Sequence, residues 1–199
     1  MKIIDAHSHN FQENSKIFPF INSASAKDWQ KLQKIDFPCV KFYGSLVPEF
    51  SILELAKILE ADPNACIGEI GLDKSQLELA EKYERPVSIH CVHEWPKFFE
   101  LLENFQIPSI MLHGFYASKE ILERLIKHKQ NIYISYSYKA LNFSKTKELV
   151  ALTPRNKILI ETDSENGEGL IETYAKLGVS YEQVEKNAKE FLQNRTFNW

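Results

Sequence analysis

The chain has 199 residues, 44% hydrophobic and 26% charged, the balance of a globular protein long enough to bury one sizeable core. A formal net charge of −3 gives no global basic field to draw in nucleic acid, so a phosphate-bearing substrate must be held by local groups or by metal. No apolar run approaches the roughly 20 residues that cross a bilayer, and the start of the chain carries no leader or lipidation pattern. These features lead us to expect one cytoplasmic domain over residues 1–199, monomeric and without a membrane partner. Cys39, Cys66 and Cys91 form no Cys-x-x-Cys pair and lie in apolar, strand-like contexts. That pattern fits buried reduced thiols and argues against a zinc knuckle or a disulfide frame.

Residues 2–6 read as a short strand that closes on Asp5-Ala6-His7-Ser8-His9. In an extended chain His7 and His9 share a face, roughly 6–7 Å apart, and two imidazoles at that spacing can converge on one divalent ion. The competing reading of so short a motif is two exposed histidines near a terminus. Residues 16–22 make a second strand, weakened by Pro19. Ser25 is placed to cap a helix running to about Lys34 with Trp29 and Leu32 on one face.

A strand over 38–47 ends at Pro48, and Ser51 starts a helix carrying Ile52, Leu55, Ala56 and Leu59 at helical spacing. Strands at 65–71, 86–91, 109–113, 131–138 and 157–163 then alternate with helices near 75–84, 94–105, 118–128 and 144–152. Helices near 170–177 and 181–192 close the chain. Strands alternating with helices indicate βαβ units and a parallel sheet. Eight strands close a TIM-type (β/α)8 barrel, and the first crossover, residues 10–15, is too short for a helix, so the barrel is expected to be trimmed.

The ends of these strands carry His7 and His9, Glu69, His90, His113 and Asp163. In a parallel barrel the strand ends meet at one face, where active sites of such barrels lie. Each residue alone has a plainer reading: a loop acid for Glu69, core histidines for His90 and His113, a cap for Asp163. Together they form a set of metal-binding side chains from five strands, suited to two divalent ions, Zn, Mn or Mg. A carboxylate such as Glu69 can bridge two ions, and Asp163 can serve as a ligand and as the proton acceptor from an attacking water.

The motifs Asp5-Ala6-His7-Ser8-His9, Gly68-Glu69-Ile70-Gly71-Leu72-Asp73, Pro86-Val87-Ser88-Ile89-His90, Leu112-His113-Gly114-Phe115 and Ile160-Glu161-Thr162-Asp163 occur in the order seen in the TatD family, which the chain resembles along nearly its whole length. The resemblance implies a TIM-type barrel, a dinuclear divalent-metal site and, by analogy with characterised members, metal-dependent deoxyribonuclease activity. It implies that His7, His9 and Asp163 hold one metal, that Glu69 bridges, and that His90 with His113 holds the second. The chain is about a quarter shorter than most members. Val92 stands where the family commonly has an arginine, Glu165 replaces the usual proline, and the segment after Asp73 is cut down.

Three readings follow: a phosphodiesterase or deoxyribonuclease acting on DNA or a small phosphoester, a hydrolase of a small amide, lactone or phosphoester, and a metal-binding accessory protein without turnover. Elsewhere, His93 and His128 are expected to be solvated, as are Lys186, Lys189 and Arg195 on a mixed-charge helix face. Lys41 and Lys74 are weak candidates for phosphate contact. Phe115, Tyr116, Tyr136 and Tyr138 are either base-stacking aromatics or core residues.

Overall fold

The computed structural model describes residues 2–193, 195 and 197. The expected domain also takes in residues 1, 194, 196, 198 and 199, which lie outside the described ones. Eight strands form one sheet in chain order: β1 Ile3–Ser8, β2 Ile17–Asn22, β3 Val40–Tyr43, β4 Cys66–Ile70, β5 Val87–Ile89, β6 Ile110–Leu112, β7 Ile132–Ser137 and β8 Ile158–Glu161. Every neighbouring pair runs parallel. Every residue of β4 to β8 is buried, as expected for strands covered on both faces, and this explains their near-continuous apolar runs.

The last seam, between β8 and β1, is joined beyond the ladder. The Asp163 N–H donates to the His7 carbonyl at 3.0 Å and the His9 N–H to the Ser164 carbonyl at 3.0 Å. Asp5 ties the same seam from below, accepting the Thr162 N–H at 2.9 Å and the Thr162 hydroxyl at 2.8 Å. The sheet is thereby drawn round into a TIM-type barrel.

Pro19 is tolerated inside β2 because pairing with β3 begins only at Phe20↔Val40, so the missing N–H removes no bond to that strand. The loop between β1 and β2 has no helix, and the next crossover holds only a 3-10 turn, Ala26–Asp28, and the five-residue α1, Trp29–Gln33. The barrel is trimmed there, as its sequence implies. Full helices follow: α2 Ile52–Ala61, α3 Lys74–Lys82, α4 Trp95–Asn104, α5 Lys119–Ile126, α6 Ser144–Leu152, α7 Leu170–Leu177 and α8 Tyr181–Phe191. Ser51, Asp73, Ser118 and Ser180 cap their helices by accepting a backbone N–H from Glu54, Gln76, Ile121 and Gln183. Strands are shorter than the apolar runs that signal them, because the ends of those runs turn into loops that carry the polar groups.

The floor of the barrel is aromatic. Phe191, at the end of α8, packs its ring 6.2 Å from that of Phe42, 6.4 Å from Phe20 and 5.6 Å from Tyr133. Its carbonyl accepts the Ser109 hydroxyl just ahead of β6, which fixes α8 against the N-terminal ends of the strands. Among the described residues no helix is long and apolar enough to cross a membrane.

Several minor expectations need correction. His128 is largely covered, its Nε2 3.5 Å from a Glu103 oxygen and its Nδ1 accepting the Gln130 N–H at 3.2 Å, because the chain turns sharply after α5. Arg195 donates to the carbonyls of Pro63 at 2.7 Å and Glu84 at 2.5 Å, so it pins the tail and is not a solvated charge. Lys41 donates to the Ile35 carbonyl at 2.8 Å, far from a phosphate-binding role. The three cysteines are free, Cys66 buried and the others half-buried, and burial pushes each thiol up, to about 12 for Cys66 and about 11 for Cys39 and Cys91.

Gly44 and Gly68 allow β3, β4 and β5 to close beneath the mouth. A Cβ on Gly44 would lie 2.6 Å from the Glu69 carbonyl oxygen, and one on Gly68 2.7 Å from the Ser88 Cβ. The clash at Gly44 is with backbone and cannot be relieved by a rotamer. Gly44→Ala is therefore expected to destabilise the protein by about 1–3 kcal/mol, the usual range for overpacking. Chemical denaturation would show a lower midpoint, and an unchanged midpoint would contradict this packing.

Candidate metal centre

All six side chains singled out from strand ends meet at the C-terminal mouth of the barrel. His7 lies within β1 and His9 just beyond it, Glu69 lies in β4, and His90 and His113 directly follow β5 and β6. Asp163 stands two residues past β8 with φ 48, a left-handed conformation uncommon for a side chain other than glycine. That turn sets the Asp163 carboxylate over the mouth, where it is 37% exposed.

Glu69 is the hub. Its Oε2 lies 3.4 Å from His9 Nε2 and 3.8 Å from His7 Nε2, while its Oε1 lies 2.7 Å from His113 Nε2 and 3.2 Å from His90 Nδ1. One oxygen thus faces each pair of imidazoles. Burial alone would favour the neutral acid, but hydrogen bonds from His113, His7, His9 and His90 outweigh it and hold the carboxyl far below the usual carboxylate range. Burial pushes His7 down to about 3, with the neighbouring His113 adding to the effect, so this ring is neutral. Burial also lowers His9, yet its bonds to Glu69 prevail and raise it overall; His90 is raised chiefly by its hydrogen bond to Glu69.

Each pair brings together ring nitrogens that could ligate a cation. His9 Nδ1 donates to the Asn22 carbonyl at 2.9 Å, so Nε2 carries the lone pair when the ring is neutral and donates to Glu69 when the ring is protonated. His7 Nδ1 lies 3.0 Å from the Ser88 hydroxyl, which directs its own Nε2 inward. Those two Nε2 atoms are 3.3 Å apart, and His90 Nδ1 and His113 Nε2 are 3.0 Å apart. Lone pairs facing one another at this distance repel unless a proton or a metal ion lies between them. Three groupings, His7–His9–Glu69, Glu69–His90–His113 and His7–His113–Asp163, each bring their ligand atoms within 4.8 Å of one another. The donor set of imidazoles and carboxylates suits a divalent transition metal.

Four supporting groups were not assigned from sequence. Asp5, Ser88 and Glu161 each lie two residues before a member of the set, in β1, β5 and β8, so strand periodicity puts them on the same side as His7, His90 and Asp163. That step of two was a usable signal. Burial raises Asp5 to about 7 although the Thr162 bonds oppose it. Glu161 is raised well above the usual carboxyl range by burial and then by the charge of Asp163. Its Oε1 accepts the Gly114 N–H at 2.6 Å and lies 4.0 Å from His113 Nδ1, bracing the loop that holds that ring. Asn22 acts through its backbone carbonyl, which no sequence pattern reports.

A broad cleft of about 1290 Å³ opens beside His9 and Asp163, lined among others by Phe11, Lys31, Tyr138, Glu165, Glu168 and Glu172. Of the histidines outside the site, His93 is exposed. Phe115 and Tyr136 belong to the core, whereas Tyr116 is 46% exposed.

Comparison with known proteins bears on the family and the fold. A family model described as TatD related DNase matches residues 5–165. The "uncharacterized metal-dependent hydrolase YjjV" of Escherichia coli (strain K12) is 28% identical over 134 residues, covering 58% of this chain and 52% of that protein. The "3'-5' ssDNA/RNA exonuclease TatD" of the same organism is 31% identical over 137 residues, covering 58% of this chain and 50% of that protein. The chain spans about half the length of these curated relatives. In fold, it superposes on the crystal structure of Escherichia coli YjjV with a TM-score of 0.80 at 20% identity, over 98% of each chain.

Ser88 supports His7 without reaching the mouth. Ser88→Ala is expected to weaken divalent-metal affinity by about 10- to 100-fold, the usual effect of losing such a supporting partner, with the fold intact. Competition against a fluorescent chelator measures it, and an affinity equal to that of the unaltered protein would refute the role.

Proposed function

The chain belongs to the TatD-related DNase family, and on that premise we propose that it is a metal-dependent phosphodiesterase with nuclease activity, working as one cytoplasmic, monomeric domain over residues 1–199. The observation that carries this reading is the Glu69 carboxylate, with one oxygen toward His7 and His9 and the other toward His90 and His113. His7, His9 and Asp163 would hold one divalent ion, His90 and His113 the other, and Glu69 both. Such ions, when bound, lower the pKa of water and offset charge on a phosphodiester in displacement.

The protein's own groups supply the rest. The Asn22 carbonyl fixes the tautomer of His9, and the Ser88 hydroxyl holds the His7 ring in its orientation. Asp163, partly exposed on its left-handed turn, would accept the proton released as water attacks phosphorus, while the P–O bond to the leaving ester oxygen breaks and that oxygen takes a proton from solvent. Glu69 is buried and anionic, and its role is to hold charge in place rather than to exchange protons with solvent. The nuclease names of the relatives support a nucleic-acid substrate, DNA or RNA. The acidic lining of the cleft, Glu165, Glu168 and Glu172, favours a second reading in which the substrate is a small phosphoester, amide or lactone.

One experiment separates these. Protein stripped with chelator is reloaded with Mg²⁺, Mn²⁺ or Zn²⁺ and assayed on end-labelled single-stranded DNA and RNA beside a small phosphodiester and an amide panel. Metal-dependent cleavage of the strands is expected, with Asp163→Asn losing activity by about 100-fold or more, as when a general base is removed. Strand cleavage that survives Asp163→Asn would point to a contaminant and sink the nuclease reading. Hydrolysis of amides alone would select the second, and two bound ions without any hydrolysis would indicate a metal-binding accessory protein. Elemental analysis supplies an independent readout: replacing His7 and His9 together by alanine is expected to remove one metal equivalent, and unchanged metal content would refute the assignment.

A further inference from the structure

We infer that Tyr116, Phe143 and Lys145 form a stacking site for an unpaired nucleobase next to the scissile phosphodiester. This rests on the reading of the metal centre as a phosphodiesterase and assigns that site a contact outside the ions.

Tyr116 lies in the loop between β6 and α5, three residues beyond His113, so their Cα atoms are at most about 11 Å apart. Phe143 lies in the loop between β7 and α6. Both loops follow the C-terminal ends of strands and so rim the same mouth. Tyr116 is 46% and Phe143 58% exposed, although buried positions beside each are already filled, by Phe115 and Leu141. The core has no use for these two rings. Their centroids stand 5.9 Å apart with planes at 57°, too splayed to cover one another. Lys145 Nζ lies 5.1 Å from the centre of the Tyr116 ring.

Two exposed rings and a cation match the needs of single-stranded nucleic acid, whose base offers a π-face and whose backbone offers negative charge. The charge around the mouth favours this side. Lys139 lines the cleft it shares with Glu165, Glu168 and Glu172, whereas the residues beside Phe143 bring Lys145 and Lys147 and no acid before Glu148. A strand approaching the metal centre along the β6–β7 flank meets lysines and aromatic faces; one approaching past β8 meets carboxylates.

The test is fluorescence anisotropy with a labelled phosphorothioate oligothymidylate and an abasic strand of equal length, linkages that slow cleavage during measurement. Metal-loaded wild-type protein is expected to bind the base-bearing strand about 5- to 100-fold more tightly than the abasic one, the range for loss of a base–aromatic stack. Tyr116→Ala with Phe143→Ala should abolish that preference, each single substitution should reduce it, and Tyr116→Phe should keep it, since the ring and not the hydroxyl stacks. Absence of a preference in the wild type, or its survival in the double variant, would overturn the site. So would a wild-type dimer in sedimentation that the double variant splits, since the rings would then be a self-contact. The underlying reading fails separately: base preference without hydrolysis of any phosphodiester removes the hydrolase and leaves the stacking site, while hydrolysis without base preference does the reverse.

Discussion

A carboxylate buried to 4% exposure cannot stand alone, and Glu69 is the charge around which the mouth of this barrel is built. Removing an anion from water is costly unless it is paired and hydrogen-bonded. Glu69 meets that requirement with four imidazoles, two at each oxygen. The imidazoles in turn need outward partners to fix their orientation, and the Ser88 hydroxyl and Asn22 carbonyl supply two of these, the carbonyl also fixing the His9 tautomer. Gly68 must be glycine because a side chain there would strike Ser88 and the Asn22 side chain, the very residues that steady His7 and His9. Close packing of β2, β4 and β5 under the mouth therefore follows from the needs of one buried anion.

The seam between β8 and β1 shows the same economy. The backbone bonds from Asp163 to His7 and from His9 to Ser164 close the barrel and set the distance between members of the metal set. Fold closure and site assembly are here one set of interactions. Asp5 reinforces them from within through Thr162, at the cost of a carboxyl whose burial pushes it up to about 7.

Much of this was legible in the sequence. Eight apolar runs separated by helical patterns gave the barrel, since parallel strands buried on both faces must be apolar along their length. His7, His9, Glu69, His90, His113 and Asp163 could be picked out because polar residues at the ends of apolar runs need a reason to be there. Less legible were features made by the fold rather than by residue type. Arg195 and His128 look like ordinary surface charges until the carbonyls of Pro63 and Glu84, or the Glu103 side chain, come beside them. The Asn22 carbonyl is a backbone group that any residue could have offered. Phe115 and Tyr116 are adjacent aromatics, and only the packing of the loop decides that the first fills the core and the second faces solvent.

The trimming of the barrel falls where the site can tolerate it. Its six candidate ligands come from β1, β4, β5, β6 and β8, whereas the crossovers without a full helix flank β2. β2 and β3 contribute backbone and small side chains to the centre: the Asn22 carbonyl, and Gly44 pressed against the Glu69 carbonyl. A strand that offers only backbone to the mouth is positioned by its ladder partners, and β2 has β1 and β3 on either side. A short crossover is thus sufficient to hold it. The strands that must aim a side chain from β4 onward are each followed by a full helix, and among the described residues four of the seven full helices are capped by a serine or aspartate side chain. From β4 onward helical cover accompanies the strands that aim a side chain, while His7 and His9 on β1, which no helix follows, are steadied by the Ser88 hydroxyl, the Asn22 carbonyl and the seam to β8.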